Sequence, residues 1–220
     1  MAYNMIYVKF NEELGNKNNL YYDITYPSFY KFRNYTYNTS SNILNNLNTI
    51  IKSDVYKFRN SIISESVKNN NMYFKVVSDF SNTFSQNYLI SSIVSVMAID
   101  DTGLYINDLY SYNYDLSTGD KFFLEDIFIK GVDYLKIVGD YVNYKINKNK
   151  DYYNINEVIN ISPEQNFYIS DDGIVIYINS KDLSLDSTQI FKFKMEFSKF
   201  LPYINPRFFS IRNTNNFKLK

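Results

Sequence analysis

The side chains of this sequence that could do chemistry are carboxylates, lysines and tyrosines, because its 220 residues include no histidine and no cysteine. Without histidine there are no Ser-His or Cys-His nucleophile pairs, and the commonest general base near neutral pH is missing. Without cysteine there are no disulfides, no thiolate chemistry and no cysteine-ligated zinc sites. Carboxylate pairs, lysine, tyrosine and all-oxygen metal sites remain. We therefore expect that the protein is not an enzyme.

Two aspartate clusters are the first candidates for a site. Asp100-Asp101 and Asp171-Asp172-Gly173 could each supply half of a carboxylate pair or a calcium loop. Aspartate also favours turns, because its side chain accepts hydrogen bonds from nearby backbone amides. Neither cluster has EF-hand spacing, and the six glycines of the chain form no phosphate-binding loop. We interpret both clusters as turns and predict no catalytic residue, no metal site and no cofactor.

Tyrosine is the second candidate, since the chain has 23 tyrosines and an aromatic fraction of 19%. Tyr110, Tyr112 and Tyr114 alternate along a predicted strand and therefore share one of its faces. On an open face they could stack on sugar rings or contact a protein partner. Alternatively, they pack beneath a helix with their hydroxyl groups at its edge, and we favour this interpretation.

The segment between residues 100 and 109 is the candidate binding loop. It combines a turn-forming aspartate with apolar residues that a plain connector would not need, and loops on a rigid sheet often carry recognition. In the alternative, Leu104 and Ile106 begin the next strand and face the core. The predicted binding residues are Asp101, Leu104, Tyr105, Tyr110 and Tyr112.

The charges of the chain balance, with 23 basic and 23 acidic residues and a formal net charge of zero. Such a protein has no long-range field to gather nucleic acid or anionic lipid, and we expect neither as a partner. The first residues show no basic region followed by an apolar segment, so no export signal is predicted. No window reaches the roughly 18 apolar residues of a membrane-spanning helix. As written, the sequence predicts a soluble, cytoplasmic chain.

Hydrophobic periodicity predicts the elements that position these residues. Apolar residues at three- and four-residue spacing predict a helix of about 25 residues that starts at Ser40 or Ser41. A second helix is predicted over residues 132–146. Alternating or continuous apolar character predicts strands over residues 5–10, 20–25, 72–80, 84–99, 109–116, 167–170, 174–178 and 191–197.

The order of these elements predicts an α+β fold. The sheet is expected to be mostly antiparallel, with one long and one shorter helix packed on it. Tyr26-Pro27 is expected to end the second strand, because proline cannot donate to a ladder. Ser81-Asn82 is expected to form a turn. Residues 1–220 are interpreted as one domain, divisible near 1–100 and 101–205, with a loosely held tail at 206–220.

Several stretches, in a consistent order, resemble a known family. Residues 24–27 and the predicted helix over residues 43–58 look like the family's extended Tyr-Pro segment and the helix that follows it. Residues 112–120, leading into 123–128, are similar to its signature of an Asn-x-Asp strand end, a Thr-Gly turn and a Leu-x-Asp-Leu-Phe run. Residues 166–169 with 173–177 look like its hairpin. Together they resemble the extracytoplasmic domain shared by the anti-sigma factor RsiV and the N-terminal part of the peptidoglycan deacetylase PdaC.

The resemblance implies an α+β fold with helices packed on antiparallel sheet, and an extracytoplasmic location. For RsiV it implies recognition of lysozyme, and for PdaC it places catalysis in a separate domain. Many members carry a Gly-Gly-Ala-His-like segment where this chain has residues 101–106, and the chain shows no transmembrane segment. Lysozyme sensing and the family's binding residues are therefore not transferred to this sequence.

The leading functional hypothesis is a non-catalytic recognition or sensing domain that binds a protein or cell-wall-related ligand in a low-GC Gram-positive bacterium. One alternative is a structural or assembly protein of the envelope or spore. The other is a glycan hydrolase with two carboxylates about 5–10 Å apart across a cleft. A cleft that holds paired acids with raised pKa values favours the hydrolase, whereas a convex, exposed aromatic patch favours recognition or assembly.

Overall fold

The computed structural model describes residues 6–31, 40–69, 71–153, 155, 158–183 and 188–209. The strands are β1 (Ile6–Lys17), β2 (Leu20–Lys31), β3 (Phe74–Gln86), β4 (Leu89–Asp100), β5 (Gly103–Asp115), β6 (Phe167–Ser170), β7 (Gly173–Asn179) and β8 (Ile190–Glu196). The helices are α1 (Ser41–Lys68), α2 (Tyr134–Lys148) and the one-turn α3 (Lys150–Tyr153) and α4 (Phe197–Phe200). Short 3₁₀ helices lie at Leu124–Ile127, Ser180–Leu183, Leu201–Tyr203 and Pro206–Phe208.

Two sheets organise the described part of the chain. The larger has five strands in the order β1-β2-β3-β4-β5, and the smaller has three in the order β6-β7-β8. Neighbouring strands are antiparallel except β2 and β3, which run parallel from Leu20 to Ile24 on β2. Parallel neighbours need a crossover connection, and α1 supplies it. The predicted α+β class and mostly antiparallel character are confirmed, and the larger sheet is mixed.

Helix α1 covers one face of the five-stranded sheet. Ser40 caps it, because the serine Oγ accepts a hydrogen bond from Asn42 N at 3.2 Å. Apolar residues at three- and four-residue spacing form a stripe that is buried in one core with β2, β3 and β4. Leu47 and Phe58 retain only 2% and 7% exposure, so the predicted stripe is core.

Helix α2 packs with the three-stranded sheet rather than with the larger one. Asp133 caps it by accepting a hydrogen bond from Lys136 N at 3.1 Å. Its buried residues, which share a core with β6, β7 and β8, are Val138, Val142 and Ile146. The expectation that both helices cover one sheet is therefore wrong. Each sheet has an apolar face of its own to bury, and each helix covers one of them.

Buried polar side chains join the two sheets. β6 is an edge strand of the smaller sheet, so half of its backbone groups have no partner strand. Ile169 N donates to Ser91 Oγ on β4 at 2.9 Å, and Asn113 Nδ2 on β5 donates to Phe167 O at 2.9 Å. Ser91 Oγ donates in turn to Asn113 Oδ1 at 2.6 Å. These side chains satisfy a buried edge that would otherwise carry a desolvation cost.

Pro27 does not end the second strand, contrary to the prediction. β2 continues to Lys31 and stays paired with β1, with Pro27 opposite Phe10. The parallel register with β3 has already ended at Ile24. No ladder bond to β3 therefore depends on the N–H that proline lacks.

The turn between β3 and β4 lies later than predicted. Ser81 and Asn82 are inside β3, where the register shifts between Asn82 and Phe84. The chain reverses at Asn87 and Tyr88, whose φ angles are 53° and 63°. Two successive residues in the left-handed region fit the hairpin turn that matches strand twist. Asparagine favours this region but tyrosine is rare there, so the sequence signal for this turn is weak.

The predicted loop before residue 109 and the predicted tail are also corrected. β5 begins at Gly103, which pairs with Asp100, so the turn is only two residues long. Near the other end, Phe208 is 2% exposed and packs in the α2 core. Burial of Phe208 thus holds the start of the predicted tail, and residues 210–220 lie outside the described residues. The division near residue 100 stays a prediction.

Candidate binding groove

A groove runs beside the outer edge of β5, between α1 and the end of β7. It has two parts with volumes of about 520 and 480 Å³, within the range of small-ligand pockets. Both parts are lined by Lys57, Asp108, Tyr110 and Asn179. We call it the β5 groove, whose further lining includes Asp54, Tyr105, Tyr112, Tyr114, Lys121, Thr188 and Gln189.

Helix α1 supplies a charged wall of the β5 groove. Asp54 and Lys57 lie one turn apart, with Lys57 Nζ 3.5 Å from Asp54 Oδ1. The Lys57 side chain is 76% exposed and that of Asp54 is 35% exposed. Such an exposed ion pair contributes little to stability, and both groups remain accessible to a ligand. Tyr112 donates its hydroxyl hydrogen to Asp54 Oδ2 at 3.4 Å.

Strand β5 supplies the aromatic side chains. Tyr110, Tyr112 and Tyr114 face the α1 core, because alternate residues of a strand share a face. Tyr112 is buried beneath α1, as the packing interpretation predicts, whereas the rings of Tyr110 and Tyr114 are half-buried and stay partly accessible. Burial, followed by the nearby carboxylates of Asp108 and Asp54, raises the pKa of Tyr110 to about 12. The Tyr110 hydroxyl is therefore protonated at neutral pH and can donate a hydrogen bond.

Strand β7 supplies the side-chain amide of Asn179, whose oxygen accepts no hydrogen bond from the described residues. Asn179 Nδ2 donates to Asp108 Oδ1 at 3.4 Å. The Oδ1 of Asn179 is buried and has no hydrogen-bond partner among the described residues. Buried acceptors without a partner are uncommon and call for an explanation. Beside it, the Tyr177 hydroxyl contacts Leu109 O and Ser111 Oγ, each at 3.0 Å, and fixes β7 to β5.

The structure brings together three of the five predicted binding residues. The three that line the β5 groove are Tyr105, Tyr110 and Tyr112. Asp101 lies in the β4–β5 turn, where its Oδ2 accepts a hydrogen bond from Tyr73 N at 3.0 Å. Leu104 is 44% exposed and does not line the groove. The predicted set therefore divides between the groove, the turn and another surface.

The alternative for the same segment, in which Leu104 and Ile106 begin the next strand and face the core, holds in part. Both residues belong to β5. Ile106 pairs with Ala98 and packs against the α1 core, whereas Leu104 pairs with Ile99 and is exposed. The register shifts between Ala98 and Ile99, which leaves Tyr105 as the extra residue of a bulge. This bulge places Leu104 and Ile106 on opposite faces of the sheet.

Asp54, Lys57 and Asn179 were missed by the sequence analysis. Asp54 and Lys57 lie on the polar side of an amphipathic helix, where charged residues normally face solvent. Asn179 ends a continuous apolar strand, where asparagine normally indicates a turn. They meet only because α1 and β7 pack on either side of β5, and no local pattern encodes that packing.

Both aspartate clusters are turn residues, as predicted. Hydrogen bonds from Thr102, including one from its N at 2.7 Å, lower the pKa of Asp100 below its usual value. Asp172 pairs with Lys194 across the β7–β8 ladder, at 2.7 Å. Among the described residues, no three acidic, histidine or cysteine side chains are grouped so that they could hold a metal ion. The helices in the same part of the chain are too short or too polar to cross a membrane.

Comparison with known proteins identifies the fold. Residues 125–198 match the model of a family described as "Protein of unknown function (DUF3298)". A DUF3298 family member from Bacteroides fragilis NCTC 9343 has a similar crystal structure, with a TM-score of 0.58 and 13% identity over 93% of this chain and 96% of that chain. A DUF3298 family protein from Pseudomonas aeruginosa PAO1 is similar with a TM-score of 0.61 and 10% identity, over 93% and 95%. No curated protein matches the chain.

These similarities concern the fold, because identities this low do not carry function. The matched segment begins in the 3₁₀ helix at Leu124–Ile127 and ends in α4. It therefore includes β7 with Asn179 but neither α1 nor β5. Over residues 125–198 the chain matches DUF3298, and over 93% of its length it has the fold of two DUF3298 proteins of known structure.

Proposed function

We propose that this chain is a non-catalytic recognition domain that binds its ligand in the β5 groove. The observation that supports the proposal is the convergence of α1, β5 and β7 on one accessible groove. A few polar groups converging on a concave, partly apolar surface are the usual setting of a binding site. The buried Asn179 Oδ1 adds an acceptor that a bound ligand would satisfy.

The resemblance to the RsiV-like domain supports a sensing or recognition role. The DUF3298 match covers residues 125–198 and so includes the β6–β7 hairpin, one of the stretches that carry the resemblance. The proposed ligand is a protein or a cell-wall-related glycan, met in the envelope of a low-GC Gram-positive bacterium.

The absence of catalysis is part of the proposal. The chain contains no histidine and no cysteine, so the β5 groove offers neither an imidazole base nor a thiolate nucleophile. Tyr110, with a pKa raised to about 12 by burial and two nearby carboxylates, keeps its proton at neutral pH. Its hydroxyl is suited to donating a hydrogen bond and not to accepting a proton.

The absence of cysteine allows a direct test, because a single introduced thiol can be labelled without background. Thr188→Cys places an environment-sensitive fluorophore at the groove, and Leu104→Cys places it on an exposed site outside the groove. Soluble peptidoglycan fragments and lysozyme are then titrated against both variants. We expect one of these ligands to change the emission at residue 188 and not at residue 104. No change with either ligand, or equal changes at both positions, would refute the proposal.

A carboxylate-dependent hydrolase is a second candidate, because Asp54 and Asp108 line the same part of the groove. Two carboxylates across a cleft are what such an enzyme requires. Incubation with peptidoglycan and chitin, followed by mass spectrometry of the soluble products, tests it. Product release that is lost in Asp54→Asn would establish hydrolysis and overturn the non-catalytic proposal.

An assembly role is a third candidate, because strand β1 is an exposed edge of the five-stranded sheet. Its Phe10 and Leu14 side chains are 55% and 57% exposed. An edge strand with apolar side chains can pair with another chain. Light scattering after gel filtration tests this candidate, since a dimer or larger species that Leu14→Lys converts to monomer would favour assembly.

A further inference from the structure

We propose that the β5 groove binds a neutral saccharide, with a sugar ring against the tyrosines of β5 and its hydroxyl groups on the surrounding side chains. This inference rests on the proposed recognition function and specifies the ligand class for the same site. Four features of the groove lead to it: the balance of charge, the half-exposed aromatic rings, the unused acceptor and the obstruction of the strand edge.

The charge of the groove is balanced. Its lining includes the carboxylates Asp54 and Asp108 and the ammonium groups of Lys57 and Lys121. An anionic polymer would meet two carboxylates, and a cationic one would meet two ammonium groups. A neutral ligand with many hydroxyl groups avoids both repulsions, and it can donate to the carboxylates and accept from the lysines.

The aromatic side chains provide a surface for a sugar ring. Tyr105 is 38% exposed, and Tyr110 and Tyr114 are half-buried, so part of each ring remains accessible. An aromatic face carries partial negative charge, which attracts the partially positive C–H groups of a saccharide. The rings are held by the packing of β5 under α1, so little side-chain entropy is lost when a ligand binds.

The hydrogen-bonding groups beside these rings fit hydroxyl groups, which both donate and accept. Asn179 lines the groove, and its Oδ1 is buried without a partner among the described residues. If the amide turns toward the groove, a ligand hydroxyl or amide hydrogen can donate to Oδ1 and remove its desolvation penalty. The Tyr110 hydroxyl is protonated at neutral pH and can donate to the same ligand. A site of this kind discriminates strongly against ligands that lack the matching polar groups.

The edge of β5 is poorly suited to the main competing ligand, an extended peptide that would pair with it as an additional strand. The Tyr177 hydroxyl donates a hydrogen bond to Leu109 O at 3.0 Å. Phe122 N donates to Asn113 O at 3.0 Å. Strand addition needs a continuous row of accessible backbone groups. With two of these carbonyls already occupied, the groove favours a ligand that binds through side chains.

Isothermal titration of the unlabelled protein with chitotetraose and cellotetraose tests the inference. Tyr110→Ala should weaken binding at least tenfold, because it removes the ring, and Tyr110→Phe should weaken it less, because only the hydroxyl is lost. Asn179→Ala should also weaken binding. Leu104→Ala, outside the groove, is the matched control and should leave the affinity unchanged. Thermal unfolding of each variant identifies any that fail to fold, and Tyr110→Phe retains a test if Tyr110→Ala is one of them.

The outcomes separate this inference from the proposed function. If neither saccharide binds but lysozyme changes the fluorescence at residue 188, the saccharide inference fails and the recognition function stands. If saccharides, peptidoglycan fragments and lysozyme all leave the groove unchanged, both fail. Saccharide binding that Tyr110→Ala and Asn179→Ala leave intact would place the site elsewhere and overturn the inference.

Discussion

Asn113→Ala should be one of the most destabilising single substitutions in the chain. We expect this even though the change places an apolar side chain in a largely apolar interior. Its side chain is 1% exposed and holds β5 to the edge of β6. Nδ2 donates to Phe167 O at 2.9 Å, and Oδ1 accepts from Ser91 Oγ at 2.6 Å. Asn113→Ala leaves Phe167 O without its side-chain donor and the Ser91 hydroxyl hydrogen without its acceptor, while Ser91 Oγ still accepts from Ile169 N.

The expected cost follows from these two groups. Leaving one buried polar group unsatisfied costs about 1–3 kcal/mol, so about 2–6 kcal/mol is the upper limit for the two groups, because Ser91 Oγ keeps its hydrogen bond from Ile169 N. A water molecule that enters the vacated space would lower the cost toward the smaller value. Even that value is a large fraction of the roughly 5–15 kcal/mol that stabilises a typical domain.

Urea unfolding followed by circular dichroism measures this change in the free energy of unfolding. Asn107→Ala, on the same strand but half-buried, is the matched control, and we expect it to change stability by less than about 0.5 kcal/mol. Ser91→Ala also breaks the Ser91–Asn113 hydrogen bond. The double variant should therefore lose less stability than the sum of the two single variants.

Two results would refute this reasoning. One is a loss below about 0.5 kcal/mol for Asn113→Ala, which is the range of ordinary surface substitutions. The other is full additivity of the two single variants, which would show that Ser91 and Asn113 do not act as one network. Either result would mean that Ser91 and Asn113 do not hold the two sheets together as one hydrogen-bond network.

Two further predictions concern the α1 core and acid stability. Leu47→Ala should lower the free energy of unfolding by about 2–5 kcal/mol in urea, because Leu47 is 2% exposed; a loss under about 0.5 kcal/mol would mean that the α1 stripe is not core. Burial alone would raise the pKa of Asp115, but hydrogen bonds from Ser117 and Arg207 hold it below its usual value. Since the folded-state pKa is lowered, this contribution is complete above the ordinary value of about 3.8 and is lost as the pH falls through the folded pKa. Asp115→Asn should therefore lose less stability than the wild type on acidification below that value, and identical acid profiles would contradict the assignment.

Several elements could be predicted because their signals are local. The apolar stripe of α1 needs only side-chain spacing, and Ser40 needs only a short oxygen acceptor before the first turn. The hairpin between β6 and β7 follows from Asp171-Asp172 between two apolar runs, with Ser170 paired to Gly173. The burial of alternate residues in β8 follows in the same way from a period of two. Each of these signals lies within a few residues of the structure it specifies.

The turn positions that failed also have physical reasons. β2 continues through Pro27 because β3, the strand that would accept a hydrogen bond from an N–H at this position, is no longer paired with β2 there. Where β3 separates from β2 depends on the tertiary structure. The turn lies at Asn87-Tyr88 and not at Ser81-Asn82, because β3 stays paired with β4 as far as Gln86 opposite Leu89. Residue propensity indicates where a turn costs little free energy, whereas the pairing of the strands decides where the chain must turn.

The sequence by itself determined that imidazole and thiol groups are absent. It also determined the α+β class, the apolar stripe of α1 and the shared face of the β5 tyrosines. These properties depend on composition and on periods of two or about 3.6 residues, which are visible within one segment. Only the tertiary structure decided that α2 covers a second sheet, that Ser91 and Asn113 satisfy the edge of β6, and that Asp54, Tyr110 and Asn179 line one groove. The reason is that these contacts join residues dozens of positions apart. Their meeting depends on which apolar faces bury each other, and single-segment patterns do not record that choice.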